Sequence, residues 1–160
     1  MTRPSHQAAA GQQAQHQHQH WGRLDTVLFV LVATVLTLVA VQFALAGFGA
    51  FTMNKNPGTP TDHAYGAHMV LGVIIAALAV LILAVSLADR AAREHRRTLR
   101  LAATLAGLAL IVEPLLGEGG TRVPFLGALH ALNGLVICAL AGWLLSETGR
   151  RRTAARGSHR

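Results

Sequence analysis

AYGAHMVLGVIIAALAVLILAVSL, residues 64–87, decides the fold. It contains no Asp, Glu, Lys or Arg, and most of it is Ala, Val, Leu and Ile. An α-helix needs about 20 consecutive apolar residues to cross roughly 30 Å of hydrocarbon. This stretch has that length, and a bilayer rather than a water-excluded globule then covers its apolar surface. Upstream lies a second such run, residues 24–51, interrupted by Gln42 and ending near Gly47 and Gly49. KNPGTPTD (55–62) separates the two, with Pro57, Gly58 and Pro60 as turn punctuation.

Downstream, the hydrophilic connector from Asp89 to Arg100 precedes a third apolar run, residues 101–116, which holds Glu113-Pro114 near its end. GEGGTRVP (117–124) reads as a second turn, and residues 125–145 form a fourth run carrying His130 and Asn133. The third run is short for a span, but counting it brings the arginine-rich segments to one side. Counted that way, twelve of the 14 lysines and arginines share a face, leaving Lys55 and Arg122 on the other. Positive charge is retained on the cytoplasmic side. The expected fold is therefore an all-α integral membrane four-helix bundle, up-down-up-down, with N- and C-termini cytoplasmic. The expected location is the plasma membrane of a bacterium.

The chain is 52% hydrophobic and 13% charged over 160 residues, with a net charge of +7 and mean hydropathy of +0.41. Soluble domains carry about 25% charged residues. The basic balance does not indicate nucleic acid, because the arginines sit at the ends of apolar runs, where they meet anionic headgroups. Residues 1–22, rich in Gln, Ala and His, read as a disordered tail. Its alternating His16, His18 and His20 have a weak affinity for divalent metal. Residues 149–160 read as a basic cytoplasmic tail. The first apolar run is too long for the hydrophobic part of a signal peptide and lacks a small-residue cleavage site, so it is expected to remain as a span. The single cysteine, Cys138, excludes an intrachain disulfide.

Each span carries one conspicuous polar residue: Gln42, His68, Glu113 and His130. The second and fourth helices enter from the same face, and His68 and His130 then lie roughly 6–8 Å below their helix starts. Gln42 and Glu113 fall past the midpoints of helices running the other way, in the same outer half. Ionisable groups at membrane depth are costly and usually face the bundle interior. Two level histidines on facing helices are what a b-type haem requires, one imidazole on each side of the iron. A flat macrocycle also needs small neighbours. His68 has Ala64 and Gly72 one turn away, and His130 has Gly127 and Gly134. Lys55 and Arg122 are the outer-side cations available to propionates. His63, beside Asp62, reads as exposed.

The stretches AYGAHMVLGVIIAALAVLILAVSLADR (64–90), LALIVEPLLGEGG (108–120) and GALHALNGLVICALAGWLLSE (127–147) together resemble one four-helix half of haem A synthase. In that family a histidine on the second and fourth helices of each half holds haem near the outer face, which here implies His68 and His130. VQFALAGFGAF (41–51) and ALHALNGL (128–135) also resemble a group of small uncharacterised bacterial four-helix membrane proteins. The synthase has eight helices, an outer-loop cysteine pair and a glutamate three residues before the second-helix histidine. This chain has four spans, no outer cysteine and Tyr65 at that position. Oxidation of a haem methyl group is thus not expected, and no independent catalytic activity is assigned.

Three functional readings stay open from the sequence. One is a haem b protein for electron transfer or haem handling, with His68 and His130 as metal ligands, and with Gln42, Glu113, Gly72, Gly127 and Gly134 around the cofactor. A quinone, a redox partner protein and a homodimer are its candidate partners. The second is a cofactor-free accessory or structural membrane protein whose polar residues hold helices together. The third is a small proton-coupled transporter using Glu113 and His68. No serine triad, phosphate-binding glycine loop or Cys/His zinc spacing is present.

Overall fold

The computed structural model describes the backbone of residues 5–89 and 96–157, and side chains from Leu24 to Ala154 outside the 90–95 connector. The described residues form four long helices. We label them α1 (Ser5–Lys55), α2 (Thr61–Ala88), α3 (Arg96–Gly120) and α4 (Pro124–Gly157). All four are long and apolar enough to cross a membrane, and the described residues include no strand. Helices satisfy every interior backbone N–H and C=O within one segment, which lipid demands.

Contacts run α1 to α2, α2 to α3, α3 to α4 and α4 back to α1. The helices therefore stand in chain order around the bundle, with α2 and α4 opposite each other. The start of α1, the end of α2, the start of α3 and the end of α4 lie at one end, here the terminal end. The α1–α2 and α3–α4 turns lie at the other, the loop end.

The terminal half is closely packed. Leu28, Val32, Val35 and Val39 on α1 meet Ile75, Ala79 and Ile82 on α2, Leu101, Leu105 and Ala109 on α3, and Ile137, Ala141 and Leu144 on α4. Their spacings of three and four residues are those of a coiled-coil seam. Alanines let the backbones approach, which matters in lipid because close packing, not water exclusion, drives helix association. Outward-facing Val73, Leu87, Ile111 and Leu135 form the lipid-covered surface.

The loop half is looser. The last stretch of α3, Glu113–Gly120, contributes no buried residue. Leu115, Phe48, Phe51 and Phe125 are all exposed there. Contact at this end is concentrated at two glycine crossings. A Cβ on Gly49 would lie 2.5 Å from the Tyr65 ring and 2.8 Å from the Ala64 carbonyl oxygen. One on Gly120 would lie 2.8 Å from the Gly127 Cα. Only glycine permits the second approach, because backbone cannot step aside as a flexible side chain can.

Several boundaries differ from the sequence reading. Residues 5–22, expected to be disordered, continue α1, and the 149–157 stretch continues α4. Alanine, glutamine and arginine are good helix formers, and an existing membrane helix removes the nucleation cost that an isolated segment would face. The side chains of His16, His18 and His20, and the connector arginines Arg90 and Arg93, lie outside the described residues. The third helix is not the short one expected. Its span covers 25 residues, because Arg96 to Arg100 and Gly117 to Gly120 are helical too. The turn that the sequence places at 117–124 shrinks to Thr121–Val123, closed by Val123 N–H donating to the Gly119 carbonyl at 2.9 Å. His63 is exposed as expected, although in the first turn of α2 rather than in a loop.

Within α3 the helix widens to a π-turn at Leu108–Val112, where Glu113 N–H bonds the Leu108 carbonyl five residues back. Pro114 causes this. It has no N–H to give, and its ring crowds the carbonyl one turn before it. A π-bulge relieves that clash and rotates the following residues about the axis. Glu113 is the first of them.

Candidate functional site

The loop half brings the four polar residues together. α1 delivers Gln42, α2 His68, α3 Glu113 and α4 His130. Gln42 Nε2 donates to the His68 carbonyl oxygen at 2.9 Å, and His68 Nδ1 donates to the Gln42 carbonyl at 3.2 Å. On the opposite side, His130 Nδ1 donates to the Glu113 carbonyl at 3.1 Å, with Glu113 Oε1 3.5 Å away. The two imidazole rings meet across the bundle, with centroids 6.0 Å apart and planes at 69°.

The partners fix the tautomers. A backbone carbonyl only accepts, so Nδ1 carries the proton in both rings and Nε2 bears the lone pair when the ring is neutral. That arrangement, with Nδ1 tied to a carbonyl and Nε2 free to bind, is how metal-ligating histidines are oriented. At His68 the lone pair already has a neighbour. Gln42 Nε2 is 3.4 Å from His68 Nε2, so a ligand there would take the place of that amide. Gln42 Oε1 is buried with no hydrogen-bond partner.

Asn133 is a member of the cluster that sequence reasoning noticed but did not use. It is 8% exposed and its Nδ2 donates to Glu113 Oε2 at 2.6 Å. The signal was available, because Asn133 lies three residues after His130 and shares its helix face. Thus α4 holds Glu113 twice, through His130 at its backbone carbonyl and Asn133 at its carboxylate. Tyr65 is a second addition. Its ring stands edge-on to His68 at a centroid distance of 6.2 Å, at 74°.

The glycines divide. A Cβ on Gly72 would be 3.3 Å from Gln42 Nε2, and one on Gly134 would be 3.2 Å from Phe43 Cζ and 3.7 Å from Glu113 Oε1. Both line the cluster as expected. Gly127 instead faces Gly120 at the α3–α4 corner, where an added Cβ would lie in ordinary contact, 3.7 Å from the Gly120 Cα. Gly117, not among the expected residues, is the small neighbour of His130, since its Cβ would be 3.3 Å from His130 Cε1. The two loop-end cations point elsewhere. Lys55 lies over the Phe51 ring, and Arg122 bonds Glu118 at 3.3 Å.

The cluster is half-open. The His130 and Glu113 side chains retain 25% and 23% of their exposure, whereas residues of the terminal core retain almost none. Among the described residues no group of three or more His, Cys, Asp or Glu side chains converges to hold a bare metal ion. What the site offers instead is a facing pair of imidazoles, a carboxylate, two amides and a phenol ring. No family model, curated protein or solved structure matches the chain.

Proposed function

We propose that this protein binds a b-type haem between α2 and α4, which His68 and His130 would hold, and that it serves electron transfer or haem handling. The observation that carries the reading is the His68–His130 pair: two imidazoles on opposite helices, each with Nδ1 tied to a carbonyl, and ring centroids 6.0 Å apart. Two neutral imidazoles this close on opposite helices would hold a haem iron between them. A tetrapyrrole brings four of its own ligands, so two protein ligands suffice. The half-open loop end and the small residues Gly72, Gly117 and Gly134 also favour a flat guest. Bound there, a haem would supply one-electron chemistry. The carbonyls of Gln42 and Glu113 orient the two rings, and Asn133 holds the Glu113 carboxylate beside His130.

The charge asymmetry supports the cytoplasmic placement of both termini in a bacterial plasma membrane, with the cluster in the outer leaflet. A quinone or a redox protein approaching from that side is the corresponding electron partner.

The test is an absorbance spectrum of protein purified from haem-replete cells. A sharp Soret band, lost in both His68→Ala and His130→Ala while each variant elutes as the wild type does, is the expected result. A colourless wild type that also takes up no added haemin overturns the proposal. That outcome favours the second reading, a cofactor-free bundle. The interhelical bonds of Gln42 to His68 and Asn133 to Glu113 give this alternative a specific basis, since such bonds contribute about 0.6–2 kcal/mol each in membranes.

A further inference from the structure

The terminal end holds a second polar arrangement that the haem reading does not use. Arg151 on α4 reaches across to α3, where its Nη2 donates to Thr98 Oγ1. Its other two guanidinium nitrogens, Nε and Nη1, are shielded from solvent and have no hydrogen-bond partner. Arg97 lies nearby on α3, its guanidinium stacked 4.5 Å over the Trp143 ring. Arg152 is stacked likewise over Phe29 of α1. Glu147 lies beside this group, and Arg150 already takes it at 2.6 Å. Arg97, Arg150 and Arg151 all act electrostatically on that single carboxylate.

A guanidinium withdrawn from water with two of its nitrogens unbonded is a costly arrangement. It is tolerable where an anion completes it. Three arginines, Arg97, Arg150 and Arg151, stand around the already-paired Glu147. Arg151 as a residue is only half-buried, and Trp143 is exposed. The anion present at this level of a membrane is a lipid phosphate, and basic pockets between helices bind such headgroups. An arginine fork matches two phosphate oxygens, and an interfacial tryptophan suits the glycerol region below.

We infer that the α3–α4 groove at the terminal end is a binding site for an anionic phospholipid, whose phosphodiester is held by Arg151 together with Arg97.

The experiment compares thermal unfolding of the wild type, Arg151→Gln and Arg100→Gln in two kinds of mixed micelle, with phosphatidylcholine alone or with added phosphatidylglycerol. Native mass spectrometry reads bound lipid alongside. The wild type should melt several degrees higher with phosphatidylglycerol and retain it as an adduct. Arg151→Gln should lose that increment and bind the lipid roughly fivefold less, the factor one near-surface arginine contributes. In phosphatidylcholine alone Arg151→Gln should be no less stable than wild type, because it removes an incompletely paired charge. A purely structural Arg151–Thr98 contact would instead lower stability in both lipids, and that result overturns the proposal. So does an equal loss in Arg100→Gln, or an equal increment from inorganic phosphate in phosphatidylcholine, which would make this a free-phosphate site.

Discussion

The two halves of this bundle are built from the same four helices and obey opposite rules. Toward the termini, Val, Leu, Ile and Ala interlock at three- and four-residue spacing and leave almost no exposed side-chain surface. Toward the turns, the seam opens, the buried apolar positions run out along α3, and polar residues take over the interior. Lipid supplies no hydrophobic drive between helices, so the first half must be held by packing and the second by polar bonds and glycine crossings. A closed floor keeps four helices in fixed register, and the half-open end carries a polar side chain from each of them: Gln42, His68, Glu113 and His130.

The comparison can be broken from the packed side first. Leu105 is fully buried in the terminal core, and Leu105→Ala should lower unfolding free energy by about 2–4 kcal/mol through the cavity it leaves. Reversible unfolding in mixed micelles measures it, and a loss as large from Leu115→Ala, whose side chain is exposed, would erase the difference between the halves. A nearly equal effect is expected at the loop-end corner. Gly120→Ala drives a methyl into the Gly127 backbone and should cost about 1–3 kcal/mol, and the paired change at exposed Gly58 should cost almost nothing.

Asn133→Ala sharpens the polar half. It removes the donor to Glu113 and should lower stability by about 1 kcal/mol, while also loosening His130. If haem is bound, the Soret band should broaden or shift without vanishing, in contrast to its loss in His130→Ala. An unaltered spectrum in Asn133→Ala would detach that amide from the site. The smallest effect is expected at Leu115, where alanine should change stability by less than about 0.5 kcal/mol.

Much of this was legible in the residues. Uninterrupted apolar length located the spans, and turn residues such as Pro57 and Gly58 separated them. Knowing which helices enter from which face set His68 and His130 at one depth, which is why they could be expected to meet. The details that give the pair its chemistry were not legible. Depth follows from counting along a helix, but direction around it depends on neighbours, and Pro114 alters that direction for Glu113 through the π-turn. Asn133 was visible one turn from His130, yet only the approach of α3 makes it a partner of Glu113. Gly127 was read as a cofactor neighbour because it lies close to His130 along the helix, and only the packing shows that it faces Gly120 at the α3–α4 corner. The same holds at the other end, where composition showed a cluster of arginines but not that Arg151 turns inward.

The sequence by itself determined that this chain forms four membrane-crossing helices with its positive charge gathered at one end. Transfer into hydrocarbon is governed by local composition and length, which are properties of each segment alone. Only the tertiary structure decided which carbonyl takes each histidine proton, which glycines serve a site and which a crossing, and where the bundle closes or opens. Those depend on contacts between segments far apart in the chain, and such contacts exist only once the helices have packed.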